Sequence, residues 1–287
     1  MKKNRQKEAA EVSKLNRISV KTDVCFNIIF IILALICIIP VVFVFMISIS
    51  SEKSIQMNGY RFIPEKFSID SYAFLLREGK MILSSLGISV MVTVIGTVLG
   101  VMLTTMMGYV ISRRNYKMQN FFTMVVFIPM IFNGGMLSSY VVNTQFMHLK
   151  NSIWALILPL CVSSFNVVIC KTFFKTNIPE SVIESAQIDG ASQFTIFGKI
   201  ALPLSKPMMA TIALFLTFGY WNDWYNCMLF INDSSKWNLQ YTLQNILNSS
   251  EALNRMASQT GMKVASLPAE SMKMAMTVVA IGPIILL

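Results

Sequence analysis

The sequence predicts an all-α integral membrane protein that crosses the bilayer about six times, and three observations carry this. Hydrophobic residues make up 54% of the 287-residue chain and charged residues only 13%, against roughly a quarter charged in an average soluble domain. The mean hydropathy is +0.59. The apolar residues also fall into continuous blocks of about 20 or more, the length a helix needs to cross hydrocarbon.

The formal net charge is +10, but seven of the 24 basic residues precede position 22 and others flank apolar blocks. This is the basic margin of a membrane protein, and it argues against nucleic acid as a partner. Cys25, Cys37, Cys161, Cys170 and Cys227 lie in or beside apolar blocks without a C-x-x-C pair, and read as small apolar fillers.

Residues 1–23 carry Lys2, Lys3, Arg5, Lys7, Lys14, Arg17 and Lys21, and no A-x-A cleavage site follows. They read as a cytoplasmic basic tail ahead of a permanent first span. Span one covers about 24–50 with Pro40 inside it, which a membrane helix tolerates as a kink. Residues 51–80 are too polar to cross and rich in aromatics, suited to the interface. Span two covers about 81–112, where Gly96, Gly100, Thr104 and Gly108 recur every fourth residue. In lipid such a stripe lets a second helix approach closely.

Span three, about 121–142, is interrupted by Pro129 and Asn133-Gly134-Gly135, which predicts a bent or discontinuous helix. Span four, about 152–174, holds Pro159 and the polar group Ser163, Ser164 and Asn166. Span five, about 207–231, ends in Trp221-Asn222-Asp223-Trp224-Tyr225-Asn226, and a polar outer loop over 232–267 leads to a sixth apolar block. With the N-terminus inside, the inner side carries 14 basic residues and the outer side nine, the sense of the positive-inside rule.

The hydrophilic insertion over 175–206 is the most informative segment. Pro179 suits the first turn of a helix, and Glu180 and Glu184 suit its positive dipole end. Gly190 supplies a left-handed stop, and Ser192 caps a second helix whose Phe194, Phe197 and Ile200 share a face. Pro203 and Pro207 then end the element.

Glu184-Ser-Ala186-x-x-Asp189-Gly190-Ala191, followed by Ile200-x-Leu202-Pro203, resembles the EAA loop of permeases in binding-protein-dependent ABC importers. It departs from the family at Ser185, where alanine is usual. Asn133-Gly134-Gly135, Ile153 to Pro159 and Trp221-Asn222-Asp223-Trp224 also resemble the carbohydrate-importer permeases, so the likeness covers most of the chain. Within them it is similar to the oligosaccharide permeases of Gram-positive bacteria related to the second maltose permease subunit.

The resemblance implies the type I ABC importer permease fold over 24–287, in a bacterial plasma membrane with the N-terminus cytoplasmic. It implies that the insertion is a coupling helix seated in a cytoplasmic ATPase, with Glu184, Ala186, Asp189, Gly190, Ala191, Ile200, Leu202 and Pro203 as its motif. The implied partners are a homologous second permease, two ATPase subunits that bind ATP and Mg, an extracellular sugar-binding protein and membrane lipid. No cofactor is expected in this chain itself.

No G-x-x-x-x-G-K-[ST] loop occurs, so ATP hydrolysis falls to a separate chain. The single histidine, His148, lies in a short outer loop, which disfavours a catalytic or metal site. For the substrate path the candidates are Asn222 and Asp223, then Trp221, Trp224, Asn133, Ser163 and Asn166, because sugars are met by polar side chains and aromatic faces. An intramembrane acid is a functional candidate by default. The alternative for Asp223 is a solvated position at the interface, with Trp224 and Tyr225 as anchors. An ion-driven secondary transporter and a non-transporting scaffold are the competing classes. The first normally needs intramembrane charged couplers, which are nearly absent here.

Overall fold

The computed structural model describes residues 20–77, 79–260 and 269–285. The expected tail before residue 20 and the start of the sixth apolar block at Pro268 lie outside the described residues. Helices dominate, and among the described residues the extended pairing is confined to a bridge between Ser50 and Phe67. The chain divides into two compact units, Met1–Tyr72 with Pro268–Val279 and Ala73–Leu267 with Ala280–Leu287.

In the first unit, α1 (Val20–Ser48) runs unbroken through Pro40. From Val24 to Val42 its apolar side chains are exposed on every side, as expected of a helix surrounded by lipid rather than packed with one stripe on a core, whereas Ile47 near its end is buried. The short α2 (Glu52–Asn58) follows. Its Glu52 carboxylate accepts the backbone N–H of Glu270 at 3.2 Å and the N–H and hydroxyl of Ser271 at 2.9 and 2.8 Å. These are first-turn groups of the last helix (Ala269–Ile285), whose free amides and positive dipole end favour a carboxylate. Tyr60 donates to Glu270 at 2.6 Å and Ser71 to Ser271 at 2.8 Å.

Helix α3 (Asp70–Arg77) starts in the first unit and passes into the second at Ala73, and the second is organised by α4 (Gly79–Ser112), a 34-residue helix. Then come α5 (Gln119–Ile131), α6 (Gly135–Val141) with a π-helical turn over Val142–Phe146, α7 (Trp154–Cys161) and α8 (Ser164–Asn177). After these stand α9 (Glu180–Ile188), α10 (Gln193–Leu204), α11 (Lys206–Trp221), α12 (Tyr225–Phe230) and α13 (Leu239–Thr260); the final α14 (Ala269–Ile285) belongs to the first unit as far as Val279. Among the described residues, two helices are long and apolar enough to cross a membrane alone, and α7 with α8 and α10 with α11 raise the number to four if each bent pair is one span.

The small-residue stripe does what its spacing predicts. Helix α4 packs on α7, α8 and α11, and a side chain at Gly100 would stand 2.7 Å from Leu216 and 2.8 Å from the Cys161 carbonyl. Gly96 lies against the Tyr220 ring and Gly108 against Cys170. Hydroxyls extend the contacts of the same helix to α13 and the residues that start it: Ser85 bonds Thr242 at 2.7 Å, and Ser89 accepts the Leu239 amide at 2.8 Å.

The segment expected as span three is discontinuous, as Asn133-Gly134-Gly135 predicts, for α5 ends at Ile131 and α6 starts at Gly135, whose φ is +77°. Span four bends by 45° between Cys161 and Ser164. The segment read as a polar loop over 232–267 differs from that reading, for it contains the 22-residue α13. Asn238 accepts the Tyr241 amide at 3.0 Å, and Leu239, Thr242 and Leu243 are buried on one face. A polar average concealed that amphipathic period.

Candidate coupling site and translocation path

Helix α9 starts directly after Pro179, with Glu180 in its first turn. It ends in a Schellman motif: the Gly190 amide donates to Gln187 at 3.0 Å and the Ala191 amide to Ala186 at 2.9 Å. Gly190 takes φ +79°, the left-handed conformation that a Cβ disfavours. The Ser192 hydroxyl accepts the Thr195 amide at 3.2 Å and so starts α10. Helix α10 turns by 81° into α11 at Ser205, a buried residue whose hydroxyl donates to the Ala201 carbonyl at 2.7 Å.

Ile183, Ile196 and Ala201 face the core. Glu184, Asp189, Gly190 and Pro203 are exposed, while Ala186, Ala191, Ile200 and Leu202 are half-buried. Two large apolar side chains flanking the turn stand out in the open, Ile188 at 86% and Phe194 at 80% exposure.

The basic turn after α4 lies beside α9. Arg113 is half-buried, reaches the Phe174 carbonyl at 3.4 Å and lies 4.9 Å from the centre of the Tyr109 ring. Burial pushes its pKa below the usual guanidinium value. Arg114 pairs with Glu180 at 3.6 Å, but both are solvated, and such pairs are worth only about 0–1 kcal/mol. A cleft of about 290 Å³ runs between the turn and α9, lined by Tyr109, Arg113, Arg114, Glu180, Glu184 and Gln187 among others. Sequence reasoning missed Tyr109 and Arg113. The signal available was their four-residue spacing at the end of a span.

The path candidates divide. Helix α11 stops at Trp221 and α12 starts at Tyr225. In the break the Asp223 carboxylate accepts the Asn226 amide at 3.1 Å and its side-chain amide at 3.0 Å, as a helix cap. Trp221 is buried, with its indole N–H on the Ala280 carbonyl at 3.1 Å. Asn222 and Trp224 are exposed, and Gln240 of α13, which the sequence did not single out, lies 3.4 Å from Asn222. The Asp223 carbonyl accepts from the Asn238 side chain. Asn133 accepts the Gly135 amide at 2.9 Å, Ser163 precedes α8 at its N-cap, and Asn166 is buried. The structure therefore brings Asn222, Asp223 and Trp224 together in one break and places Asn133, Ser163 and Asn166 on other elements. Beyond this break, Ser235 holds the exposed Asp233 carboxyl below its ordinary pKa through two hydrogen bonds.

Helices long and apolar enough to cross a membrane, beside shorter apolar helices joined through bends, mark an integral membrane protein. Residues 96–287 match the family described as "Binding-protein-dependent transport system inner membrane component", and the chain belongs to that family. It is 37% identical over 266 residues to protein LplC of Bacillus subtilis, covering 92% of this chain and 88% of that one. It is 39% identical over 253 residues to the B. subtilis polygalacturonan/rhamnogalacturonan transport system permease protein YtcP, covering 88% and 87%. The fold is similar to a chain of a bacterial ABC transporter involved in import of the acidic polysaccharide alginate, with a TM-score of 0.77 at 24% identity, covering 94% and 96%.

Proposed function

We propose that this chain forms one half of the translocation path of an ABC importer for oligosaccharides. It pairs with a second permease, and ATP with Mg is bound and hydrolysed by two separate cytoplasmic subunits. An extracellular binding protein delivers the sugar. Six spans cross the membrane: α1, α4, α5 with α6, α7 with α8, α11 with α12, and α14. The tail 1–23 and the insertion 175–206 are cytoplasmic, and α13 lies outside.

The observation that carries this reading is the turn at Gly190, where the matching motif projects Ile188 and Phe194 into the open. Helices α9 and α10 seat there in the ATPase, with Glu184, Ala186, Asp189, Gly190, Ala191, Ile200, Leu202 and Pro203 shaping the contact. Asn222 and Trp224 meet the sugar, Asp223 holds the break that presents them, and Asn133, Ser163, Asn166 and Trp221 shape the remaining path. Relatives named for polygalacturonan/rhamnogalacturonan and for arabinooligosaccharides support the substrate class.

The test is an affinity pull-down of the tagged chain from membranes. An ATPase and a second permease come down with the parent, and a Gly190→Pro variant loses the ATPase while keeping the permease. Recovery of the parent chain alone would refute the proposal.

A further inference from the structure

The ring of Tyr109, the last aromatic residue of α4, touches two other elements at once. It stands edge-to-face with Phe174 at 5.5 Å, at the end of α8, and 5.1 Å from Phe197 of α10. Arg113 covers it at 4.9 Å and ties the same corner to the Phe174 carbonyl. Phe174 and Ile196 are fully buried, and Tyr109 and Ile183 nearly so. All four belong to one hydrophobic cluster; Tyr109 and Ile183 border the cleft beside α9 on one side, but the ring is packed against Phe174 and Phe197 on the other, and packed contacts transmit displacement rather than absorb it.

The exposed Arg114–Glu180 pair also connects the turn to α9, but solvent screens it and two long side chains give it slack. The Tyr109 hydroxyl is buried and has no hydrogen-bond partner among the described residues. What Tyr109 contributes is therefore the ring and not the hydroxyl.

We propose that Tyr109 is the positioning residue that joins the α9–α10 pair to spans two and four, so that a push on the pair moves α4 and α8 as one body. This rests on the importer reading above, in which the push comes from the ATPase. Without the ring, the pair still presents Ile188, Gly190 and Phe194 to the ATPase but is no longer held to the spans.

Two readouts test it on the full chain. In the reconstituted complex, Tyr109→Ala keeps ATP hydrolysis and lowers sugar transported per ATP at least tenfold, while Tyr109→Phe matches the parent. In the second, spin labels at Ile188 and Met102, both exposed, are placed on a background lacking Cys25 and Cys37. Their distance distribution broadens in Tyr109→Ala and keeps the parental width in Tyr109→Phe.

A parental transport ratio or a parental distance distribution in Tyr109→Ala overturns the proposal. So does a fall in hydrolysis and transport strictly in step with lost assembly. Failure of the importer reading looks different, because the parent itself then recruits no ATPase while the distance result still decides the role of the ring.

Discussion

Replacing Gly190 separates backbone conformation from steric bulk. A Cβ there would meet nothing within 4 Å, so alanine meets no neighbour and its cost is the left-handed φ of +79°, roughly 1–2 kcal/mol for an ordinary residue. Asparagine tolerates this conformation and costs less. Proline is locked near φ −65° and has no N–H, so it loses both the dihedral and the 3.0 Å bond to Gln187, for about 3 kcal/mol or more. If the turn must be formed to seat the ATPase, each cost appears in the affinity for it. The upper bounds are about 5- to 30-fold for alanine, with asparagine weaker in effect and proline abolishing measurable binding.

The assay is titration of purified ATPase onto the permease complex in nanodiscs, with the amount of inserted chain as control. Insertion stays parental in all three variants, because the exposed turn contributes no core packing. Parental affinity in Gly190→Pro would refute the reasoning. Equal losses in the alanine, asparagine and proline variants would also refute it, by showing that any added atom, rather than φ, causes the defect.

Three further outcomes follow from the same structure. Gly100→Ala lowers the Tm in detergent, because overpacking against the Cys161 carbonyl at 2.8 Å costs about 1–3 kcal/mol. Gly87→Ala meets nothing within 4 Å and leaves the Tm unchanged or raised by helix propensity, so equal shifts for the pair would contradict the packing argument. Glu52→Ala removes the acceptor for Glu270 and Ser271, a cap worth about 1–2 kcal/mol, and hydrogen exchange at those two amides accelerates accordingly. Asp223→Ala weakens sugar transport while Asp223→Asn retains most of it, since an asparagine oxygen still caps Asn226; parental transport by the alanine variant would remove Asp223 from the path.

Local signals carried most of the fold that the sequence revealed. Gly190 and Ser192 end one helix and start another by chemistry confined to a few residues, so the turn was readable without tertiary information. The glycine stripe of α4 was equally readable as a packing face, though nothing in its period names Leu216 or Cys170 as the partner. Helix α13 was missed because its Asn- and Gln-rich outer face lowers the average, while its cap Asn238 and the buried Leu239 and Leu243 occupy only a few positions. Tyr109 was missed for a different reason. Its role depends on Phe174 and Phe197, which lie 65 and 88 residues further along, and no local pattern reports a meeting of three elements.

The broken helices show how the path candidates should be ranked. Irregular backbone at membrane depth is tolerated only where protein or water satisfies its polar groups. At each break the chain supplies those partners itself. Asn133 accepts the Gly135 amide, Tyr220 donates to the Ile157 carbonyl at 2.7 Å, Ser205 to Ala201, and Asp223 accepts from Asn226. A side chain already committed to its own backbone has less hydrogen-bonding capacity left for a sugar, and using it costs the break a partner. Asn133 and Asp223 are in that position. Asn222 spends its N–H on the Phe218 carbonyl at 3.0 Å, but among the described residues its oxygen has only the long 3.4 Å contact with Gln240, and the exposed Trp224 beside it offers a stacking face. Exchange of the Gln240 contact for a sugar hydroxyl would leave the break intact, so on the proposed function Asn222 and Trp224 rank first among the path candidates, because using them does not dismantle the helix ends that position them.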